Sequence, residues 1–484
     1  MDSRLLPLCV DLDGTLTPVD TFLEACVELL KQNPLKAALL PFWLMKGVAY
    51  AKQKVVESIE WDPKTVPLNE AFLEFLRKER ASGRKIYLAT AAPERVARDM
   101  ASLAGFFEGV ISTTFERNLI GRRKAEELVN RFGAGGFEYA GNSRADMPVW
   151  MAAGSALVVY PSPGVIRSLK REQITVINVF SRSGSQLKHL ITAMRPYQLV
   201  KNLLIFVPLL SSHEFTDPAL VGKFVLAYIA FSCLTSAVYL FNDLFDMPHD
   251  RAHAEKKFRP IARGLVGIPL IVSAILILIA AGLLISSLFP PLFSLTLAVY
   301  LVFATLYSWV FKKIPVADTV LLAFLYTLRI IAGNTASGIS FSFWLLMFSV
   351  FFFFGLAELK RYAELNLLST GSGLSPEGGG GQLKIPGRGY TTSDIPMIQS
   401  LGTASAMVSI LILGLYVDSQ RVTLLYHRPY ILWFECLLVL YWLSRMWFLA
   451  GRKKITGDPI IFTFKDRTSY IIGFLVAVVA VLAT

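Results

Sequence analysis

Cysteine is scarce in this chain. Four residues in 484 (Cys9, Cys26, Cys233 and Cys436) lie far apart, with no C-x-x-C spacing. That pattern excludes a disulfide framework and a thiolate zinc site. The four read as small core residues, Cys9 in a buried strand and Cys233 and Cys436 in apolar spans. Acidic charge is in deficit as well: 36 Asp and Glu against 48 Lys and Arg leave a formal net charge of +12. Such a balance raises nucleic-acid binding, but no helix-turn-helix, zinc finger or aromatic RNA platform accompanies it, so no nucleic-acid partner is expected. Only 17% of residues are charged while 54% are apolar, and the mean hydropathy of +0.51 is high for a soluble protein. The opening MDSRLLPLCVDLDGTL has too short an apolar run and no small-residue cleavage site, so no signal peptide is expected and the first domain should stay in the cytoplasm.

The apolar residues are unevenly spread. Residues 1–185 mix charge and apolar character as a soluble α/β domain does, and 186–484 carry long apolar stretches separated by short polar loops. In the first part, Leu6–Val10, Ile86–Ala89, Val110–Thr114, Glu138–Ala140, Ala156–Tyr160 and Thr175–Phe180 are strand candidates. Helical segments separate them, including a long one over Thr21–Ile59. Alternation of this kind predicts a mostly parallel, doubly wound sheet, with ligands at the carboxyl ends of its strands. Ser181–Ser185 is the natural linker.

The second part predicts an all-α polytopic domain of about nine spans, judged against the ~20 apolar residues a bilayer requires. They fall near 196–213, 220–241, 265–287, 289–311, 316–336, 341–357, 398–417, 428–450 and 468–484. With the amino end inside, the even-numbered spans end in loops holding Arg251, Lys256, Lys257, Arg259 and Arg263; Lys312 and Lys313; Lys360, Arg361, Lys384 and Arg388; and Arg452, Lys453, Lys454, Lys465 and Arg467. The opposite loops hold only Arg421 and Arg428. Such asymmetry follows the positive-inside rule and expects a plasma-membrane protein with its soluble domain facing the cytoplasm. One loop, Thr370–Gly389, is Gly-rich and reads either as a solvated spacer or as a lid.

Two constellations carry chemistry. In Cys9–Thr17, CVDLDGTLT, Asp11 ends a strand where its carboxylate can attack a phosphoryl group. Asp13, two residues on, can protonate the leaving oxygen and later activate water. Gly14 lets the backbone turn tightly beside a phosphate. The run resembles the first motif of haloacid dehalogenase-like phosphatases, and three more motifs follow in that family's order. By that resemblance Thr90 (IYLATAAP) binds the transferring phosphoryl group, and Lys124 (GRRKAEEL) balances nucleophile and phosphate charge. Asn142 and Asp146 (GNSRAD) join Asp11 and Asp13 in holding Mg2+. Asn142 stands where the family usually has Asp, which removes one negative charge and leaves an active or a degenerate head open. The helical segment after Asp20 resembles the family's small cap.

The second constellation is Asn242–Arg263, NDLFDMPHDRAHAEKKFRPIAR. Asp243, Asp246 and Asp250 recur at spacings that place them on one helix face. Three carboxylates at a membrane boundary are costly unless a divalent cation joins them. Oxygen ligands suit Mg2+, which keeps substrate phosphates in its shell. Asn242 can add an amide oxygen, and Arg251, Lys257 and Arg259 can hold further phosphate charge. This is similar to the diphosphate motif of UbiA-type intramembrane prenyltransferases. Within that superfamily RPYQLVKN, SAVYLFNDLFDMPHDR, KKFRPIARG, YTLRIIAG and KRYAEL resemble the decaprenyl-phosphate phosphoribosyltransferases.

The resemblance implies transfer of 5-phosphoribosyl from phosphoribosyl diphosphate to a polyprenyl phosphate at the bilayer. Asp243 and Asp246 act in catalysis, and Arg195, Lys201, Asn202, Arg251, Lys257, Arg259, Lys312, Arg329, Lys360, Arg361, Tyr362 and Glu364 bind substrate. Where aromatic prenyltransferases carry a second acidic motif, this chain reads Glu358-Leu-Lys360-Arg361-Tyr362-Ala-Glu364, which argues against aromatic prenylation, the alternative reading. The head would then remove the ribose 5-phosphate, giving polyprenyl-phosphoryl ribose for a cell-envelope arabinose donor. Oligomeric state stays open, a homo-oligomer included.

Overall fold

The computed structural model describes residues 6–181, 184–253, 255–368, 383–385, 387–455 and 457–484. Most of the Gly-rich stretch expected as spacer or lid, and the middle of the expected linker, lie outside them.

All six predicted strands form: β1 Leu8–Val10, β2 Ile86–Pro93, β3 Gly109–Thr113, β4 Glu138–Gly141, β5 Ser155–Val159 and β6 Val176–Phe180. They pair in parallel in the order β3-β2-β1-β4-β5-β6. Strand alternation sorts the core. Leu8 and Val10 pack on one face with Leu12, Leu16, Phe72 and Leu88, while Cys9 packs on the other with Tyr139, Trp150 and Val158. The chain leaves β1 toward β2 on one side and returns to β4 on the other. The carboxyl end of β1 is thus the topological switch point, where such sheets bind ligands.

The single helical stretch expected over Thr21–Ile59 is in fact four helices: Thr21–Gln32, Pro34–Ala37, Leu40–Met45 and Val48–Glu57. Pro34 and Pro41 each open a new helix, and Gly47, with φ +120°, precedes the last.

Among the described residues, seven helices are long and apolar enough to cross a membrane: Pro218–Phe245, Ile268–Ser286, Pro291–Trp309, Ala317–Ser337, Phe343–Leu368, Thr392–Val417 and Pro429–Gly451. The protein is a multi-pass membrane protein with seven candidate spans. Of the nine expected, the last is a shorter apolar helix, Arg467–Ala483. The first is a 3-10 run, Pro196–Phe206, followed by a short helix, Val207–Ser211. Pro196 and Pro208 punctuate it, and Lys201 and Asn202 are buried in its middle.

The chain divides into two compact units, one of Met1–Met194 with Tyr239–Ala274, the other of Arg195–Val238 with Ile275–Thr484. The linear boundary expected near residue 185 is therefore only part of the division. The segment carrying the acidic motif packs in the same unit as the six-stranded sheet.

Candidate active sites

The first cluster forms where β1 runs out. Asp11 Oδ1 accepts from Lys124 Nζ at 2.8 Å, and Lys124 Nζ also reaches Tyr139 Oη at 2.9 Å. Tyr139 donates onward to Asp146 Oδ1 at 2.9 Å. Lys124 comes from the helix Arg122–Phe132, and Tyr139 and Asp146 from β4 and the turn after it. Three of the sequence-predicted residues are thus joined through Tyr139, which sequence reasoning missed. It lies on the same face of its strand as Cys9 and Trp150 and reads as core until Lys124 is found against it. Asp13 Oδ1 accepts from Thr21 N at 2.9 Å. Thr90 is fully buried on β2, its hydroxyl oxygen accepting from Ala92 N at 3.0 Å.

Burial raises Asp11 to about 6, with Lys124 opposing and Asp146 adding to the rise. Burial and the Asp20 charge push Asp13 up to about 7, which suits a group that gives and takes a proton near neutrality. Lys124 is raised too: burial alone would lower it, but the Asp11 and Asp146 carboxylates outweigh that.

Asp146 does not present a free carboxylate. Its Oδ2 accepts from Asn142 N, Ser143 N and Ser143 Oγ at 3.0–3.2 Å, and Oδ1 from Tyr139. It braces the turn that carries Asn142, the other residue expected to hold the metal. A Cβ at Gly14 (φ +75°) would lie 2.0 Å from Asn142 Nδ2, so the Asn142 amide rests against the nucleophile loop. Asp11, Asp13 and the Asn142 amide oxygen are hard oxygen donors that fit Mg2+. Among the described residues no group of three or more His, Cys, Asp or Glu gathers as a metal site, so any shell here needs oxygens other than carboxylates.

The second cluster differs from its expectation. The long helix ends at Phe245, Asp246 caps a new helix, Met247–Ala252, and Pro248 sits in its first turn. The three acids therefore straddle a joint. Asp243 and Asp250, both buried, meet at one atom: Arg259 Nη1 lies 3.2 Å from Asp243 Oδ1 and 2.6 Å from Asp250 Oδ2. A cation already stands between the two carboxylates. Beside them Asn242 Oδ1 is buried and accepts no hydrogen bond among the described residues. Two convergent carboxylates and an orphaned amide oxygen fit a hard divalent cation. Arg259 would yield its place to it.

Arg251, expected on phosphate, is committed elsewhere. Its Nη1 and Nη2 hold Glu24 Oε2 and Oε1 at 2.9 and 2.5 Å, Nη1 also donates to Thr65 O, and Nε donates to Ala262 O. Lys257 is exposed, its ammonium over the Phe258 ring.

In the other unit, Lys201 and Lys360 converge on one carboxylate oxygen, Asp458 Oδ2, at 2.6 and 3.2 Å. Asp458 lies in the carboxyl-terminal third, beyond every motif, and sequence reasoning missed it. Burial would raise its carboxyl, but Lys360 and Lys201 outweigh that and hold it far below the usual carboxylate range. Several expected phosphate ligands make contacts within the protein here. Arg329 donates to Asn202 Oδ1, Leu325 O and Tyr300 Oη, with its guanidinium over Phe231, Tyr300 and Tyr326. Asn202 is buried and also reaches Ser232 and Thr235. Arg361 is fully buried, spending its donors on Asp318, Glu364 and Tyr307 at 2.7–3.1 Å. Tyr362 packs on Trp447. Arg195 sits at φ +55° at the start of the 3-10 run, and Lys312 lies in the turn Phe311–Lys313, both half-buried.

Residues 203–362 match the model of the UbiA prenyltransferase family. The chain is 36% identical to an uncharacterized protein, y4nM, of Sinorhizobium fredii over 482 residues, covering 99% of this chain and 91% of that one. It is 33% identical to the decaprenyl-phosphate phosphoribosyltransferase of Mycolicibacterium smegmatis over 225 residues, 45% of this chain and 67% of that one. Among solved structures, a HAD family hydrolase from Salmonella enterica aligns at 16% identity and a TM-score of 0.27, covering 36% of this chain and 68% of that one. Its acidic loop, its spans, the family match and the likeness to the decaprenyl-phosphate phosphoribosyltransferase agree: the chain belongs to the UbiA prenyltransferase family.

Proposed function

We propose that the chain transfers 5-phosphoribosyl from phosphoribosyl diphosphate to a polyprenyl phosphate, and that its head then removes the ribose 5-phosphate. The observation that carries the first step is the convergence of Asp243 and Asp250 on a single cationic atom at the end of a candidate span. Mg2+ held by Asp243, Asp250 and Asn242 would neutralise the diphosphate leaving group. The anomeric carbon–oxygen bond to diphosphate breaks, and an oxygen of the lipid phosphate forms the new bond. Lys201 and Lys360 are assigned to substrate phosphate. The stretch Glu358–Glu364 supports a sugar-phosphate substrate over a prenyl diphosphate. Glu364 is paired with Arg361 and Glu358 Oε1 accepts from Thr319, which leaves Glu358 Oε2, buried and accepting no hydrogen bond among the described residues, as a single carboxylate oxygen rather than a second acidic cluster.

In the head, Asp11 attacks the phosphorus of the 5-phosphate while Asp13, protonated near neutrality, gives its proton to the departing ribose oxygen. Asp13 then takes a proton from the water that cleaves the aspartyl phosphate, releasing inorganic phosphate. Lys124 holds the Asp11 carboxylate in line and offsets its charge. Tethering the two activities raises the effective concentration of a product confined to the bilayer. The test is to incubate the purified full chain with phosphoribosyl diphosphate and decaprenyl phosphate. Asp11→Asn should accumulate the 5-phosphorylated lipid where wild type gives the dephosphorylated one; identical products from both would overturn the coupling.

A further inference from the structure

The cap of the head has an outer surface that water does not suit. In its helices Pro34–Ala37 and Leu40–Met45, Ala37, Leu40 and Trp43 turn inward onto the core of the head. The opposite side is apolar too: Leu35 is 86% exposed, Met45 83% and Phe42 63%, with Leu39, Leu44 and Val48 also exposed beside them. An exposed patch of this kind on a folded domain marks a binding surface.

Its charge says which kind. From Leu29 to Val56 the chain has no Asp or Glu, yet it carries Lys31, Lys36, Lys46, Lys52 and Lys54. At twelve residues, Pro34–Met45 is far too short to span a bilayer. Apolar side chains on one side, lysines at both ends and no acids describe a segment that lies in the interface of an anionic bilayer. The same chain carries seven candidate membrane spans, so a bilayer is always within reach of the head.

We propose that the cap segment Pro34–Val48 docks into the lipid interface, with Leu35, Phe42 and Met45 among the acyl chains and Lys36 and Lys46 at the anionic headgroups. The adjoining cap helix Val48–Glu57 already touches the phosphatase site, for Lys52 Nζ donates to Ala91 O, next to Thr90, at 2.8 Å. Docking would therefore present the nucleophile to a phosphate monoester carried on a lipid. This last step rests on the proposed function; the docking itself does not.

The test uses the full chain in vesicles of phosphatidylethanolamine and phosphatidylglycerol containing a photoactivatable phospholipid, with labelled peptides mapped by mass spectrometry. Labelling of 34–48 should exceed that of the head helix Glu70–Ala81 by about fivefold or more, and fall when neutral lipid replaces phosphatidylglycerol. In the Leu35→Ser/Phe42→Ser/Met45→Ser variant this labelling should vanish. Hydrolysis of a soluble phosphate ester should persist, while hydrolysis of a lipid-borne phosphate monoester drops about tenfold. Labelling of 34–48 no stronger than that of Glu70–Ala81, or its cross-linking to a second copy of the chain, would overturn the proposal. If wild type hydrolyses neither substrate while the labelling holds, the phosphatase reading fails alone.

Discussion

Asp458→Asn isolates what one carboxylate does for two lysines. The substitution keeps the shape, and keeps an oxygen for the Ile460 amide that Asp458 Oδ1 now caps at 3.1 Å. It removes only the charge that Lys201 and Lys360 share. Lys201 and Asp458 are 9% and 11% exposed, so Lys201 loses its counter-ion where water cannot replace it. Removing one partner of a buried pair costs about 3–5 kcal/mol. Lys360 is 26% exposed and can turn toward water, which places the expected loss near the lower bound, about 3 kcal/mol.

Lys360→Met leaves the shorter Lys201–Asp458 pair intact and should cost about 1 kcal/mol or less. Lys201→Met should fall between the two. The folded Asp458 carboxyl is far below its ordinary value, so its contribution is present above the unfolded value and lost only as pH falls through the folded one. The gap between wild type and Asp458→Asn should then be flat from about pH 5 to 8. The assay is reversible unfolding in detergent micelles followed by circular dichroism. Lys360→Met as damaging as Asp458→Asn, or a gap that changes across that pH range, would refute the reasoning.

Three further outcomes are expected. Asp11 and Asp13 are raised to about 6 and 7, so without metal the fold favours their protonated forms and loses stability as pH rises through those values. The gain in Tm of the head on adding Mg2+ should therefore be larger at about pH 8 than at about pH 5, measured by scanning fluorimetry. Tyr139→Phe removes the donor to Asp146 and the acceptor for Lys124. It should cost about 1–3 kcal/mol and slow hydrolysis of a chromogenic phosphate ester. Glu24→Arg and Arg251→Glu should each destabilise their unit by about 3–5 kcal/mol, and the double exchange should restore only the ion-pair part, since Thr65 O and Ala262 O still lose their donor; no recovery would mean that Arg251 acts elsewhere.

The sheet was legible because its inner parallel strands, buried on both faces, appear as short apolar runs, and every strand, the more exposed edge strand β6 included, begins within two residues of its expected start. Charge alternation gave most of the spans. The first failed because Pro196 and Pro208 break the helical path, and because Lys201 and Asn202, which look like membrane-boundary polar residues, are folded inward. Motif spacing singled out Asp11, Lys124, Asp243 and Asp250, which the structure brings together in pairs, but it could not tell a ligand from a brace. Asp146, Arg251, Arg329 and Arg361 each carry the right chemistry for phosphate or metal; the three arginines direct it to partners tens to hundreds of residues away, and Asp146 to residues three to seven positions before it. Tyr139, Glu24 and Asp458 went unseen for the same reason: a tyrosine in a strand, a glutamate in a cap helix and an aspartate in a loop have no local signature.

The most direct test of the central claim is mass spectrometry of lipids formed by the purified chain from decaprenyl phosphate and phosphoribosyl diphosphate, wild type against Asp243→Ala. Wild type should add a ribosyl group to the lipid phosphate and release pyrophosphate only with Mg2+ present, and Asp243→Ala should do neither. Unchanged decaprenyl phosphate with wild type, alongside turnover of a prenyl diphosphate and an aromatic acceptor, would contradict the account.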